Sequence, residues 1–573
     1  MPRKKWPVQL RSGILAHLQQ REEQVFLLLS LLIGALTGLA VVGFILATER
    51  LGMRLYPVES AAWRRVLIPI AGSLAMGFLL YRYFPYARGS GVPQTKAALF
   101  ANDGFISLRT VLGKFFCTAT TLACGIPLGR EGPSVQVGAG IASVLGRFLG
   151  LRPEKVKALI PVGAAAAIAA AFNTPMAAVL FSLEEVMGDM HAPVLGSVVL
   201  ASATSWAVMR MILGNSPLFQ VPQYTLVHPI EFALYALLGI AGGFLSVAFT
   251  RMLLTMRSFF QRLPKNTRWA HPVAGGLIVG LMGWLVPQVL GVGYTYVGSA
   301  LNGTLALKLM LLLIALKLIG VTVSYSSGNA GGIFGPSLFL GAMLGGALGT
   351  VAHGLFPAYT ANPGAYALVG MGALFAGIVR APMTSVLMIF EMTRDYTVIV
   401  PLMIANLTSL FISRRFQKEP IYEALAHQDG IHLPSPSTLH GTSERTVAQV
   451  MQTAPQVLNA WMCVQDAVQQ TRLNRLHTWP VADGKFFLGL VSRETLECAL
   501  IDGRRELPLK DLVQCSLVPH LHADHALHTA MERMSAYRLD ALPVIHRANL
   551  HKLEGMVTLQ DVLEAYGIKR DSA

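Results

Sequence analysis

Charged residues vanish from long stretches of this chain. Residues 25–48, 158–183, 272–307 and 318–379 contain no Asp, Glu, Lys or Arg. Each run can hold at least one bilayer-spanning helix, which takes about 20 apolar residues. The pattern predicts a polytopic α-helical membrane domain over residues 25–426. Beyond about residue 441 apolar positions come in short strand-like and helical runs among charges, which predicts a soluble α/β tail. A Pro-, Ser- and His-rich linker around Leu433 to His440 joins the two.

Composition agrees with that division. Of 573 residues 53% are hydrophobic and 13% charged, with a mean hydropathy of +0.51. A soluble protein of this size could not cover so much apolar surface with so few charges. Extracellular, fibrous, disordered and nucleic-acid-binding classes are excluded, because the basic excess is spread through hydrophobic sequence. From Gly441 onward there are 14 basic and 15 acidic residues, which leaves 32 and 16 for residues 1–440, so the whole of the net +15 surplus comes from the membrane part, at +16 against −1 for the tail. Basic residues on cytoplasmic loops orient membrane helices, so the basic segment 1–24 is expected to stay inside. The run 25–48 is too long for a signal-peptide core. Cys117, Cys124, Cys463, Cys498 and Cys515 lack metal or disulfide spacing; Cys117 and Cys124 read as apolar packing.

Internal repeats organise the membrane part. Gly132-Pro133-Ser134, Gly138-Ala139 and Leu145-Gly146 recur as Gly335-Pro336-Ser337, Gly341-Ala342 and Leu348-Gly349, 203 residues on. Val162-Gly163, Pro175-Met176, Val179-Leu180 and Glu184 recur as Val369-Gly370, Pro382-Met383, Val386-Leu387 and Glu391, 207 residues on. Two blocks in register imply two homologous halves. Such halves often take inverted topology around a midplane site made by broken helices.

Three Gly-rich segments run into a proline: Gly89-Ser90-Gly91-Val92-Pro93, Gly129-Arg130-Glu131-Gly132-Pro133 and Gly331-Gly332-Ile333-Phe334-Gly335-Pro336. Proline favours the first helical position, and the N–H groups there form the positive end of the helix dipole. Three such ends aimed at one point would make an anion site from partial charges, weak enough to let the ion leave. The competing account is close helix packing at small residues. A nucleotide P-loop is excluded, since no GK[ST] ending follows.

Arg130 and Glu131 are the only charges between Phe115 and Gly146, and an ionisable residue at membrane depth is a functional candidate by default. They could neutralise one another, although adjacent helical residues point apart. A carboxylate at a helix amino terminus would instead occupy an anion site like a tethered substrate; once protonated, it would leave and admit an anion. Of Glu184 and Glu185, only the first has a repeat counterpart, Glu391, whereas Glu185 matches Met392. Glu184 therefore reads as structural, and Glu185 as either a proton donor toward Glu131 or a solvated helix end.

On these motifs the chain resembles the CLC family of chloride channels and chloride/proton antiporters, of prokaryotic type. The resemblance implies an inverted repeat of two homologous halves with broken helices. It implies chloride bound by Ser90, by the backbone N–H groups of Ile333 and Phe334 and by Tyr422 in Glu419-Pro420-Ile421-Tyr422. It implies Glu131 as external gating and proton-exchanging glutamate, supported by Gly129, Arg130, Gly132 and Pro133, and Glu185 as internal proton glutamate. An internal glutamate favours chloride/proton antiport over the alternative, a passive voltage- or proton-gated chloride channel. Ser90 departs from the nitrate-preferring branch, which carries proline there. The family is dimeric with one pathway per subunit; the resemblance places this chain in the bacterial plasma membrane with its tail in the cytoplasm.

The tail also repeats. Val447-Ala448-Gln449-Val450-Met451 and Leu509-Lys510-Asp511-Leu512-Val513 open two units, each with a helix, a Pro-containing strand and a Gly-led strand. It resembles a pair of CBS motifs forming one Bateman module, CBS 1 at 444–506 and CBS 2 at 507–567 after a linker at 427–443. That resemblance implies an adenine nucleotide at Thr558 and Asp561. The first unit departs from the pattern, having Thr495 where an acid is expected after Ser492, so a purely structural or dimer-stabilising module stands beside it. His520, His522, His525 and His528, even with Cys515 and Asp524, lack helical metal spacing and are expected to be solvated. No cofactor is required. An enzyme using Glu131 as acid/base is disfavoured, because no nucleophile, HExxH motif or carboxylate pair accompanies it.

Overall fold

The computed structural model describes residues 22–55, 61–190, 194–214, 218, 219, 221, 224 and 226–431, and in the tail 446–453, 455–472, 476–484, 486–513, 519–537, 539–547 and 549–565. The basic segment before residue 22, the linker from Leu433 to His440 and Cys515 lie outside the described residues. The chain forms two compact units, Met1–Leu433 and Pro434–Ala573.

The first unit is all helical and repeats. Its first half comprises α1 (Glu22–Leu55), α2 (Ala62–Arg82), α3 (Val92–Phe100), α4 (Leu108–Ala123), α5 (Glu131–Phe148), α6 (Pro153–Phe172), α7 (Pro175–Phe181) and α8 (Leu195–Leu213). The second comprises α9 (Glu231–Arg262), α10 (His271–Leu285), α11 (Tyr294–Leu301), α12 (Leu307–Ser327), α13 (Phe334–Leu355), α14 (Pro363–Val379), α15 (Pro382–Thr393) and α16 (Ile399–Phe416), after which α17 (Ile421–Gln428) ends the unit. Among the described residues eight helical stretches are long and apolar enough to cross a membrane.

Matching positions solve matching problems. Prolines open α6, α7, α14 and α15, where a missing N–H costs nothing. The helices α6 and α14 both stop at a left-handed residue, Asn173 (φ 61°) and Arg380 (φ 68°), 207 apart. That conformation turns the chain into the next helix. Packing repeats as well: α5 lies on α6 as α13 lies on α14, and α1 on α8 as α9 on α16. At the two crossings Gly138 meets Gly163 and Gly341 meets Gly370. A Cβ on any of the four would lie 2.2 to 2.3 Å from the facing carbonyl oxygen, so only glycine permits this approach. Close packing is thus real, and it holds within the Gly-Pro breaks as well, where a Cβ on Gly91 would lie 2.2 Å from the Gly132 carbonyl oxygen and one on Gly132 2.5 Å from that of Ser90.

In the tail, β1 (Leu458–Asn459) precedes α18 (Val464–Thr471), β2 (Thr478–Asp483), β3 (Phe486–Ser492) and α19 (Arg493–Ile501). The second set is α20 (Leu527–Tyr537), β4 (Ala541–His546), β5 (Asn549–Thr558) and α21 (Leu559–Ala565). Leu458 pairs in parallel with Val481, and 63 residues on Leu521 bridges Val544 in the same sense. β2–β3 and β4–β5 are antiparallel.

The opening segments are exchanged. The Val447 N–H donates to the His525 carbonyl at 2.8 Å, and the Leu509 N–H donates to Met462 at 3.0 Å. Leu509 and Val513 accordingly complete the core of Leu458, Trp479 and Val491, while Val447 completes that of Leu521, Val544 and Val557. Each spatial unit takes its first turn from the other, so the two form one interlocked body.

Candidate functional site

The two Gly-Pro breaks of the repeat meet face to face. The Gly129 N–H donates to the Gly332 carbonyl, and the Gly332 N–H donates to the Gly129 carbonyl, both at 2.7 Å. The two residues are 203 apart, so this reciprocal pair lies on the pseudo-twofold axis relating the halves. The helices α5 and α13 begin directly after it, capped by Arg130 and Ile333. Their first turns carry N–H groups with no partner inside the helix.

Glu131, the first residue of α5, is fully buried. Its carboxylate reaches across the axis to the other helix, where Oε2 accepts from the Gly335 N–H at 3.1 Å and Oε1 accepts from the Tyr294 hydroxyl. Two glycines make room for it: a Cβ on Gly129 would lie 2.4 Å from Oε2, and one on Gly335 3.0 Å. A carboxylate on a helix amino terminus satisfies a free N–H and meets the positive end of the dipole. Arg130 does not neutralise Glu131. Its guanidinium stacks 5.6 Å over the Tyr294 ring and pairs with Glu49 at 3.3 Å.

Ser90 sits against the start of α5, where a Cβ on Gly132 would lie 2.8 Å from its Oγ. The Ser90 N–H donates to the Tyr325 hydroxyl at 3.2 Å, and the Gln94 side chain accepts from the Gly91 N–H at 2.8 Å. The Pro93 segment thereby touches the α5 break as Glu131 touches the α13 break, and the three sequence breaks form one connected site. The hydroxyls of Ser90 and Tyr422 are both buried, and among the described residues neither has a hydrogen-bond partner. Buried polar groups are normally paired; two unpaired O–H donors beside helix amino termini have the chemistry of an anion site. Ile333 and Phe334 supply the first-turn amides of α13. The Phe334 ring packs on Phe172, Phe181 and Phe375, with centroids 4.9, 5.8 and 4.4 Å away, an apolar wall on the side of α7.

Glu185 lies in a turn of π-helix, Ser182–Met187, that continues α7. It is 5% exposed, which rules out the solvated helix end. Its Oε1 accepts from Lys96 Nζ at 2.9 Å, and Lys96 is 3.8 Å from Glu423, the residue after Tyr422. Glu184 turns the other way. It accepts from the Met383 and Thr384 N–H groups at 3.3 and 2.8 Å, while Glu391 accepts from Met176 and Ala177 at 3.0 and 2.8 Å.

Sequence reasoning missed Tyr294, Lys96, Glu423 and a buried lysine pair. Lys114 Nζ donates to the carbonyls of Ala87 and Gly89 at 3.1 and 2.5 Å, and Lys317 Nζ donates to those of Val289 and Gly291 at 3.0 and 2.6 Å. Their separation of 203 repeats that of the Gly-Pro block, a signal open to the same search.

In the tail, Thr558 and Asp561 cap α21 with each other. Asp561 accepts from the Thr558 N–H at 2.9 Å and from its hydroxyl at 2.6 Å, and the Asp561 N–H returns to Thr558 Oγ1 at 3.1 Å. Ser492 and Thr495 make the corresponding cap on α19, with Thr495 N–H to Ser492 Oγ at 3.1 Å. The odd threonine of the first unit therefore preserves a cap. The rings of His520, His522 and His525 lie in a row, 5.1 and 4.9 Å apart, whereas the His528 side chain lies outside the described residues. The cluster is partly buried, so its histidines are not simply solvated. Among the described residues no group of three or more His, Cys, Asp or Glu could hold a metal.

The chain is 34% identical over 63% of its length to the H+/Cl− exchange transporter ClcA of Vibrio campbellii, covering 79% of that protein. It is 35% identical over 66% of its length to a Ralstonia nicotianae protein that bears the name of a ClcB-like chloride channel, covering 89% of it. A slow cyanobacterial Cl−/H+ antiporter of known structure superposes with a TM-score of 0.65 at 28% identity, over 70% of this chain and 97% of that one. Residues 506–568 match the CBS domain, and residues 72–414, more than half of the chain, match the voltage-gated chloride channel family. The chain belongs to that family, a multi-pass membrane transport protein of the CLC fold with a C-terminal CBS domain and not an enzyme.

Proposed function

We propose that this protein exchanges chloride for protons across a membrane, with Glu131 as the gate and Glu185 as the inner proton residue. One observation carries the reading: the Glu131 carboxylate occupies the Gly335 amide on the α13 amino terminus, where a free anion would bind. Ionised, it competes with chloride; protonated, it has neither the charge nor the acceptor strength to stay. Ser90, Ile333, Phe334 and Tyr422 then hold the ion through O–H and N–H donors alone. Such a site stabilises an anion without the full counter-charge that would trap it. Gly129 and Gly132 allow the close approaches, Pro133 fixes the first turn of α5 and Arg130 braces the mouth. The relatives named as H+/Cl− exchangers support the same reading.

Glu185 is the inner proton group, in a cluster with Lys96 and Glu423. The contact that favours the second reading, a passive chloride channel, is the same ion pair: Glu185 held on Lys96 at 2.9 Å can serve as a purely structural bridge between α3 and the π-helical turn. The reversal potential of purified protein in liposomes, under combined chloride and proton gradients, separates the two. Exchange moves it with the proton gradient; a channel reverses at the chloride potential whatever the pH.

Arg414, Arg415 and Lys418 beside α17 support an inner position for that helix and for the tail. Apolar side chains exposed on α8 and α16, among them Val199, Met211, Met403 and Phe411, suit a homodimer with one pathway per subunit. In the tail we assign residues 444–506 and 507–567 to the two CBS motifs. Adenine nucleotide at Thr558 and Asp561 is a readily tested ligand, by equilibrium binding of ATP to the intact protein.

A further inference from the structure

The loop that presents Ser90 has a counterpart in the second half. Gly89-Ser90-Gly91-Val92 corresponds to Gly291-Val292-Gly293-Tyr294, 202 residues on, and a buried lysine grips each loop at its first glycine, Lys114 at Gly89 and Lys317 at Gly291. On this common frame the two halves differ in which positions are polar. Ser90 is matched by Val292, Val92 by Tyr294 and Glu131 by Phe334. The first half thus pairs Val92 with Glu131 in sequence, and the second pairs Tyr294 with Phe334. In space the polar members meet across the halves, since the Tyr294 hydroxyl donates to Glu131 Oε1. Nothing in the repeat demands this bond. Both of its ends are departures from the matching residues, and they coincide.

Tyr294 is also held in place. Its ring meets Phe219 edge-on at 5.8 Å and 85°, and the Arg130 guanidinium covers it at 5.6 Å. Gly293, in the left-handed region at φ 87°, caps α11 and sets the backbone from which the ring projects. The phenol oxygen stands close to Gly335, where a Cβ would be 3.1 Å away. The hydroxyl therefore reaches the carboxylate only while the carboxylate lies on α13. A phenol donates more strongly to a charged carboxylate than to a neutral carboxyl, so the contact favours the blocking state over the open one.

We propose that Tyr294 is a positioning residue that latches Glu131 in its blocking place and so sets how fast the pathway opens. The inference rests on the reading of Glu131 as the gate. The test is Tyr294→Phe, which removes one oxygen, assayed for chloride turnover and proton coupling in liposomes both alone and combined with Glu131→Gln. In the protein with native Glu131, turnover rises by roughly tenfold or more, the worth of one hydrogen bond to a charged group. On the Glu131→Gln background the same change has no effect on turnover. A fall in turnover, an equal change in both backgrounds, or no change in either overturns the latch. The gate reading is judged separately by Glu131→Gln alone: if that variant still couples protons to chloride, Glu131 is not the gate, whatever Tyr294→Phe does.

Discussion

Glu184 and Glu391, 207 residues apart, cap one another's halves. Glu184 receives the N–H groups of Met383 and Thr384 at the start of α15, and Glu391 receives those of Met176 and Ala177 at the start of α7. Each helix that carries a capping glutamate has its own amino terminus capped by the other. The exchange places a paired, structural carboxylate directly beside Glu185 and explains why two adjacent glutamates take different work.

Glu391→Gln and Glu184→Gln should each destabilise the membrane unit by about 1 to 3 kcal/mol, since each removes a charged acceptor from two backbone donors. Thermal melting in detergent checks the loss, and the reversal potential of the surviving protein should show unchanged coupling. Lost coupling with unchanged melting would mean that the pair carries protons.

Glu131→Gln should abolish chloride-driven proton movement while chloride still flows. The amide is neutral like a protonated carboxyl and cannot compete for the α13 amino terminus as an anion does. Proton uptake into chloride-loaded liposomes is the direct measurement; persistence of uptake would remove Glu131 from the coupling step.

At Glu185 the neighbouring charges make two variants diverge. Glu185→Val leaves Lys96 with Glu423, 3.8 Å away, so the protein should fold, conduct chloride and no longer move protons. Lys96→Met instead strands two carboxylates in one partly buried cluster, a loss on the order of 3 to 5 kcal/mol, visible as reduced yield and a broken size-exclusion profile. Adding Glu185→Val to Lys96→Met should restore much of the fold. A Glu185→Val protein that still pumped protons would place the inner entry elsewhere.

Ser90→Pro should shift preference toward nitrate. The change removes a localised O–H donor and also the N–H that donates to Tyr325 at 3.2 Å, and a larger, more weakly hydrated anion suffers less from their loss. Bi-ionic reversal potentials in chloride and nitrate report it; unchanged selectivity would take Ser90 out of the ion's coordination.

What the sequence determined by itself is local or periodic. Charge-free runs marked the membrane unit, because lipid tolerates few charges. The Gly-Pro breaks marked helix starts, because proline and glycine act on their own backbone. Two constant offsets exposed the repeat, and the mismatch of Glu185 with Met392 separated it from Glu184. Tertiary structure decided the partners. Nothing near Glu131 in the chain foretells that its carboxylate lies on Gly335, 204 residues away, or that Arg130 turns from it to Glu49 and Tyr294. Lys96 and Glu185 are 89 residues apart and meet only because α3 packs beside the π-helical turn. A buried charge is stable only with its partner, and that partner is chosen by how inverted halves interlock across a pseudo-twofold axis, a relation that spacing along one chain does not contain. The tail obeys the same division: its two units were legible as repeats, but the exchange of Val447 and Leu509 between their cores arises from a choice between two equally apolar sites, which only packing resolves.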